Sequence, residues 1–171
     1  MPEKEGVTME AEHTISVLVK NRPRVLARVS GLFARRGFNI DSLAVSTTEN
    51  EAISRMTVAS ATDEATLKQI CKQVSKLHDV VEVIDHTQHE FIERELCLCK
   101  VGVDHAQRAE VIQLCEIFRG DVVDIGNGSM TIQLIGDKSK VDAFVRLMSD
   151  YSIKELVRSG KIVLERGAQE E

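Results

Sequence analysis

The hydrophobic and polar positions in the first half of the chain predict four strands and two helices. Residues 13–19 alternate in hydrophobicity, as a strand with one buried face does. Asn21 is positioned to cap a helix with Pro23 in its first turn, and Gly37 is positioned to end that helix. The other elements are strands over residues 40–48, 53–59 and 80–85, with a second helix that starts at Thr62 and Asp63.

A short polar linker over residues 86–92 separates this half from a second occurrence of the same order of elements. Residues 96–103 predict a strand, and residues 107–119 predict a helix that ends at Gly120. Asn-Gly is a strong signal for a tight hairpin, and Asn127-Gly128 lies between two further strands. The predicted elements are strands over residues 121–126 and 129–135, a helix over 139–150, a short helical turn over 152–158 and a final strand over 161–165.

Each half of the chain therefore follows the order βαββαβ. This order folds as a four-stranded antiparallel sheet with both helices on one face. We predict an α+β protein with two tandem ferredoxin-like domains. The predicted boundaries are a flexible tail over residues 1–12, a first domain over 13–86, a linker over 87–93 and a second domain over 94–171.

Composition and charge exclude several classes of partner. The 171 residues carry a formal net charge of −5, whereas phosphate backbones and anionic membranes attract cationic surfaces. Aromatic residues make up only 4% and there is no Trp, so the usual stacking platforms for single-stranded bases are missing. We expect no nucleic acid or membrane partner. The polar first residues do not resemble a secretory signal, and we expect a cytoplasmic protein.

The chain carries no sequence motif of an enzyme active site. It has no glycine-rich phosphate loop, no HExxH and no GxSxG. Its four cysteines are predicted to be small buried hydrophobic residues, because no further ligands are spaced to complete a metal site. They are Cys71, Cys97, Cys99 and Cys115. We expect no catalytic residue, no metal site and no cofactor in this chain.

The segment from Asn21 to Leu43 holds the candidate binding residues. The free N–H groups at the start of the first helix offer a site for an anion such as an amino-acid carboxylate. Asn39 begins the second strand, at the opposite end of the sheet from Asn21. Because this strand lies at a sheet edge, two-fold pairing of two chains would bring Asn39 of one chain to Asn21 of the other. The alternative is that Asn21 is only a helix cap and Asn39 only a turn residue.

The same segment resembles the ACT domain at the front of acetolactate synthase regulatory subunits. The resemblance spans roughly residues 12–167 and includes the second domain. Besides NRPRVLARVSGLFARRGFNIDSL, the segments that carry it are ISRMTV (Ile53–Val58), KQVSKLHDVVEV (Lys72–Val83), IERELCLCKV (Ile92–Val101), EIFRGDVVDI (Glu116–Ile125), KVDAF (140–144) and RSGKIVLERG (Arg158–Gly167).

This resemblance implies a non-catalytic subunit that activates a separate thiamine-diphosphate-dependent large subunit. The pathway leads to valine, leucine and isoleucine, and the ACT domain conveys feedback inhibition by valine or a related amino acid. Thiamine diphosphate, magnesium and FAD are expected in the catalytic partner, and a homodimer is expected through the ACT domains. The resemblance assigns the effector site to Asn21, Arg24, Val25, Leu26, Asn39 and Ile40.

One position departs from the family pattern. The loop usually reads Asn-x-x-Gly before Val-Leu, and Arg24 stands here in place of the glycine. Glycine tolerates unusual φ and lets a ligand approach the backbone, whereas arginine brings a long cation to the predicted site. We therefore expect a weakened response to valine, although an outward-turned Arg24 could instead pair with the effector's carboxylate.

Two other functions fit parts of this reading. An RNA-binding module of the same topology would carry aromatic residues on its exposed strands, where this chain has Ile53, Met56 and Val58. An ACT-domain sensor that acts on a different enzyme is compatible with the first domain alone, and the motifs of the second domain argue against it.

Overall fold

The computed structural model describes residues 11–167 and divides them into two compact units. The first comprises residues 11–91 with 165–167, and the second comprises Ile92–Leu164. Of the predicted tail, residues 1–10 lie outside the described residues, whereas Ala11 and Glu12 already belong to the first strand. Residues 168–171 of the predicted second domain also lie outside them.

The first unit has the predicted order βαββαβ. Its elements are β1 (Ala11–Lys20), α1 (Val25–Arg35), β2 (Ser42–Thr47), β3 (Ile53–Thr62), α2 (Glu64–Val74) and β4 (Val80–Asp85). The antiparallel sheet has the strand order β2-β3-β1-β4, so β2 and β4 are its edges. Inward residues of the sheet pack with both helices in one core, which includes Val17, Val29, Phe33, Met56 and Ile70.

The other face of β1 is covered by a segment that the sequence presented as a polar linker. A 3₁₀ turn, His86–Gln88, lies against it, and His86 is only 1% exposed. Its Nε2 forms a hydrogen bond with the Ser16 hydroxyl at 2.8 Å, and burial lowers the pKa of its imidazole. His86 is the last residue of the predicted first domain, and the small polar residues of β1 leave room for its imidazole and supply its partner.

The second unit repeats the order and adds one strand. Its elements are β5 (Phe91–Gly102), α3 (Arg108–Ile117), β6 (Asp121–Gly126), β7 (Ser129–Gly136), α4 (Lys138–Met148), β8 (Ile153–Arg158) and β9 (Ile162–Glu165). The strand order is β6-β7-β5-β8, and β9 also pairs with β5. Both predicted ferredoxin-like repeats are therefore confirmed, and so is the α+β class.

Residues 152–158 were predicted as a helical turn, and this prediction is wrong. They form β8, the fourth strand of the repeat, which is paired with β5 from Val101↔Ile153 to Cys97↔Arg158. The residues Lys-Glu-Leu favour a helix locally, but pairing with the free edge of β5 outweighs so weak a preference. The strand predicted over residues 161–165 is β9, an addition to the repeat.

Two glycines of the second unit have different roles. Gly128 adopts φ +81 in the predicted Asn127-Gly128 hairpin. Gly120 was expected to end α3, but Arg119 is the residue with left-handed φ there, at 53. A Cβ on Gly120 would lie 2.9 Å from the carbonyl oxygen of Gln133, so this glycine permits close contact with β7.

Three of the cysteines are buried in the core of the second unit. Cys97, Cys99 and Cys115 are at most 2% exposed, and all four cysteines are free thiols. Burial raises the pKa of Cys99 to about 11, so this thiol stays protonated at neutral pH. Cys71, on α2, is half-buried against the core of the first unit.

An ionic cluster around the buried Glu95 joins β5, α4 and β8. Arg158 donates through Nε and one terminal nitrogen to both carboxylate oxygens of Glu95, at 2.8 and 2.6 Å. Its other terminal nitrogen donates to Asp142 at 2.7 Å. Glu95 is only 6% exposed, so this bidentate pair compensates for the burial of its carboxylate.

Candidate effector site at the start of the first helix

The start of α1 differs from its prediction. The helix begins at Val25, preceded by Arg24 with a left-handed backbone, φ 71 and ψ −2. Asn21 lies three residues before Arg24, too early for its side chain to cap the helix, and Pro23 lies in the preceding turn. The cap assigned to Asn21 and the first-turn position assigned to Pro23 are therefore both wrong, because the turn before α1 is longer than the sequence suggested.

The first turn of α1 is consequently left open. The residue before the helix makes no side-chain capping hydrogen bond, and α1 has no acidic residue in its first turn. The leading N–H groups of a helix have no acceptor within the helix, and they carry its partial positive charge. Within residues 11–167, the positive end of α1 is thus available to an external anion.

Asn21 is held by the turn between β2 and β3. Its backbone N–H donates to the carbonyl of Ala52 at 2.7 Å, and its side-chain Nδ2 donates to the carbonyl of Glu51 at 2.9 Å. The residue is exposed. Its amide therefore has a defined orientation at the surface of the molecule, close to the end of β1.

Asn39 is held in place by its neighbours in the chain. Phe38 and Ile40 are half-buried and pack against the core of the first unit, whereas Asn39 and Asp41 are exposed. The Nδ2 group of Asn39 donates to Oδ1 of Asp41. Its backbone carbonyl accepts from the Ser60 hydroxyl at 2.6 Å.

The register of β3 places these two asparagines at opposite ends of the sheet. Asn21 is bonded beside Ala52, just before β3, whereas Asn39 is bonded to Ser60, near its other end. Eight residues of extended strand span about 26 Å. Asn21 and Asn39 of one chain are therefore far apart. This agrees with the separation predicted from the topology. The neighbouring strand β2 lies at the edge of the sheet.

The remaining residues of the predicted site lie in different environments. Val25 is only 4% exposed and packs in the core, so its side chain does not face solvent, whereas Leu26 is 44% exposed. Arg24 lines an open hollow of about 420 Å³ beside α1. The other lining residues are Ala27, Arg28, Arg35 and Leu77.

Three supporting residues were missed from the sequence. Arg28, in the hollow, pairs with Asp79 at 2.6 Å. Asp41 and Glu51 orient the two asparagines, Asp41 through its carboxylate and Glu51 through its backbone carbonyl. The role of Asp41 could have been predicted from the sequence. Polar and apolar residues alternate here, so Asn39 and Asp41, two residues apart, point to the same exposed side of the chain. The role of Glu51 could not, since a backbone acceptor leaves no trace in residue type.

Comparison with known proteins connects this geometry to one family. The AHAS small subunit-like ACT domain matches residues 15–82, and the small subunit of acetolactate synthase matches residues 94–167. A probable acetolactate synthase small subunit of Archaeoglobus fulgidus is 48% identical over 156 residues, which cover 91% of this chain and 98% of that protein. The acetolactate synthase small subunit of Mycolicibacterium smegmatis is 43% identical and covers 91% of each chain.

A solved structure agrees with both matches. The crystal structure of the acetolactate synthase small subunit from Thermotoga maritima superimposes with a TM-score of 0.85 at 39% identity. It covers 92% of this chain and 99% of that one. The chain belongs to the acetolactate synthase small-subunit family. The ACT-domain match contains all six residues of the predicted effector site, and the second match extends from β5 through β9.

Two further structural findings concern other kinds of site. Among residues 11–167, no group of three or more His, Cys, Asp or Glu side chains is placed to hold a metal ion. None of the helices formed by these residues has the length and hydrophobicity of a membrane span.

Proposed function

We propose that this chain is a non-catalytic regulatory subunit, which binds the large catalytic subunit of acetolactate synthase and raises its activity. The names of its relatives, which designate small subunits, support this partner. Thiamine diphosphate, magnesium and FAD then belong to the large subunit, and the complex works in the cytoplasm on the pathway to valine, leucine and isoleucine. The small subunit contributes control of the rate.

The effector in this proposal is valine or a related branched-chain amino acid, which lowers the stimulated rate. The open positive end of α1 suits its carboxylate, and Leu26 offers an exposed apolar contact for its side chain. Asn21 and Asn39 supply polar contacts. Because one chain holds these asparagines at opposite ends of β3, a strand length of about 26 Å, each site takes Asn21 from one chain and Asn39 from another.

A homodimer through the ACT domains satisfies this requirement. The observation that carries the proposal is the position of β2 at the sheet edge, with Asn39 just before it and Asn21 at the other end of the sheet. If two β2 strands pair antiparallel about a two-fold axis, Asn39 of each chain meets the Asn21 end of its partner. The dimer then holds two identical sites, and ligand binding depends on dimer geometry.

Arg24 weakens the valine response in this proposal. Its backbone occupies the left-handed conformation that suits glycine, and its exposed side chain adds positive charge beside the start of α1. In the part of the chain that the structure describes, the Arg24 guanidinium forms no ion pair. Arg24 therefore brings a long charged side chain, where the family pattern has glycine, to the place in front of α1 that we assign to the ligand.

The test is a titration of the full chain into its purified large subunit, with acetolactate formation from pyruvate followed with and without valine. We expect a rise in rate, and partial inhibition of the stimulated rate by valine. The matched Arg24→Gly variant should be inhibited at lower valine concentrations. No stimulation of a large subunit confirmed to be active would contradict the proposal and favour an ACT sensor for another enzyme.

A further inference from the structure

The side-chain amides of Asn21 and Asn39 each face a group that can only accept hydrogen bonds. Asn39 faces the carboxylate of Asp41, and Asn21 faces the backbone carbonyl of Glu51 at 2.9 Å. In both cases the amide must present its NH₂ group to that acceptor. The carbonyl oxygen Oδ1 of each asparagine is therefore turned to the other side, away from its own chain's acceptor.

The carboxylate of Asp41 is itself fixed by β3. Its Oδ2 accepts the backbone N–H of Ala61 at 2.7 Å, and its own backbone N–H donates to the carbonyl of Ala59 at 2.9 Å. One oxygen of Asp41 is thus committed to the sheet, and the other meets Asn39. The two hydrogen bonds, from Ala61 to Asp41 and from Asn39 to Asp41, together fix the orientation of the Asn39 amide.

We infer that Asp41 is a positioning residue that sets the polarity of the effector site. By holding the NH₂ group of Asn39, it presents Oδ1 as the atom that meets a ligand. An acceptor in this place selects a group that donates, and the ammonium of a free amino acid has three donors and no acceptor. The ligand's carboxylate then lies at the start of α1. This inference rests on the proposed function.

The substitution Asp41→Asn inverts this polarity with almost no change in shape. The N–H of Ala61 can only donate, so the new amide keeps its oxygen on Ala61 and turns its NH₂ group toward Asn39. Asn39 must then rotate its amide to present Oδ1 to that NH₂ group. Its own NH₂ group becomes the one offered to the ligand, where it opposes an ammonium.

The experiment compares two ligands by isothermal titration calorimetry. They are L-valine and (S)-2-hydroxy-3-methylbutanoate, which replaces the ammonium by a hydroxyl that both donates and accepts. Four full-length chains are compared: the parent chain, Arg24→Gly, Asp41→Asn and the double variant. Asp124→Asn, an exposed site on β6, is the matched control for the change in charge. Stimulation of the large subunit is measured in parallel.

We expect Asp41→Asn to weaken valine binding by about tenfold or more, the usual effect of losing a hydrogen bond to a charged group. The affinity for the hydroxy acid should change little, so the ratio of the two affinities, which measures the preference for valine, should fall by the same factor. Equal losses for both ligands would indicate general loosening and overturn the inference, as would an unchanged preference. If the chain stimulates the large subunit but binds valine in neither background, the effector part of the proposed function fails, and this inference fails with it.

Discussion

The two domains share one topology but differ in the turn that leads into their first helix. In the first domain, α1 follows a left-handed Arg24, whose side chain makes no capping hydrogen bond. In the second domain, Oδ1 of Asp104 accepts the backbone N–H groups of Ala106 and Gln107, both at 2.8 Å, in the turn that leads into α3. The Gln107 side chain in turn accepts the N–H of Asp104 at 3.1 Å.

This difference fits our proposal that one copy of the fold carries a binding site where the other has a closed turn. Free N–H groups at the start of a helix attract an anion. Asp104 supplies a carboxylate to two N–H groups of the turn before α3, whereas the residue directly before that helix, Gln107, makes no side-chain capping hydrogen bond. Among the residues that the structure describes, the turn before α1 has no such carboxylate, and the effector site that we propose depends on this omission more than on any added group.

Ion pairs within the two domains differ in how far their carboxylates are buried. In the second domain, Arg158 pairs with the buried Glu95 and with Asp142. In the first domain, Lys68 pairs with Glu64 on the surface of α2, where both side chains are more than half exposed. Solvent screens the second kind of pair, whereas a buried carboxylate that loses its partner carries the full cost of desolvation.

The largest effect that we predict comes from Arg158→Met. The change leaves Glu95 buried without its bidentate partner, and we expect the free energy of unfolding to fall by about 2–4 kcal/mol. Urea unfolding measures this through Tyr151, the single tyrosine of a chain without tryptophan, which is buried in the second domain. The matched control Lys68→Met, followed by circular dichroism, should cost less than about 0.5 kcal/mol. Similar losses of unfolding free energy in both variants would contradict the distinction between a buried and an exposed ion pair.

The order of elements was predictable because it depends on periodic burial. Strands and helices with one apolar face show spacings of two and about four residues, and both βαββαβ repeats follow from them. The hairpin at Asn127-Gly128 was equally clear, because its turn needs positive φ and glycine supplies it. Local chemistry determined these features, so the sequence was enough to predict them.

The details of the candidate site were not predictable in the same way. The left-handed backbone at Arg24 is unexpected for arginine, so the true start of α1 was hidden. The partners of Asn21 and Asn39 depend on the register between distant strands, and β8 formed where local preference favoured a helix. Each of these features is decided by tertiary contacts, which a single sequence does not display.

A smaller effect is expected from Asp104→Ala, which opens the turn before α3. Two backbone N–H groups lose their acceptor, and such a loss costs about 1 kcal/mol. Urea unfolding of the second domain, again followed through Tyr151, measures the change. Asp124→Ala, which removes an exposed carboxylate from β6, should stay within about 0.5 kcal/mol of the parent chain. If the two variants are equally stable, Asp104 does not close this turn as we describe.

The smallest change in stability is expected from Arg24→Gly, and it tests the contrast between the domains most directly. The left-handed conformation costs a non-glycine residue roughly 1–2 kcal/mol, and the freedom that glycine adds to the unfolded chain offsets about 0.4–1 kcal/mol. We therefore expect a net gain on the order of 0.5 kcal/mol in thermal unfolding. The same variant should bind valine more tightly, because it removes a long charged side chain from the place in front of α1 that we assign to the ligand.

The second domain offers a matched control for this change. Arg119 is the other non-glycine residue with positive φ among residues 11–167, and it follows α3, far along the chain from the candidate site. Arg119→Gly should give a similar gain in stability and leave valine binding as it is. If both variants tighten valine binding, the effect is a general one on the fold. If neither does, the charge of Arg24 does not control the site, and the open start of α1 accepts its ligand despite the arginine.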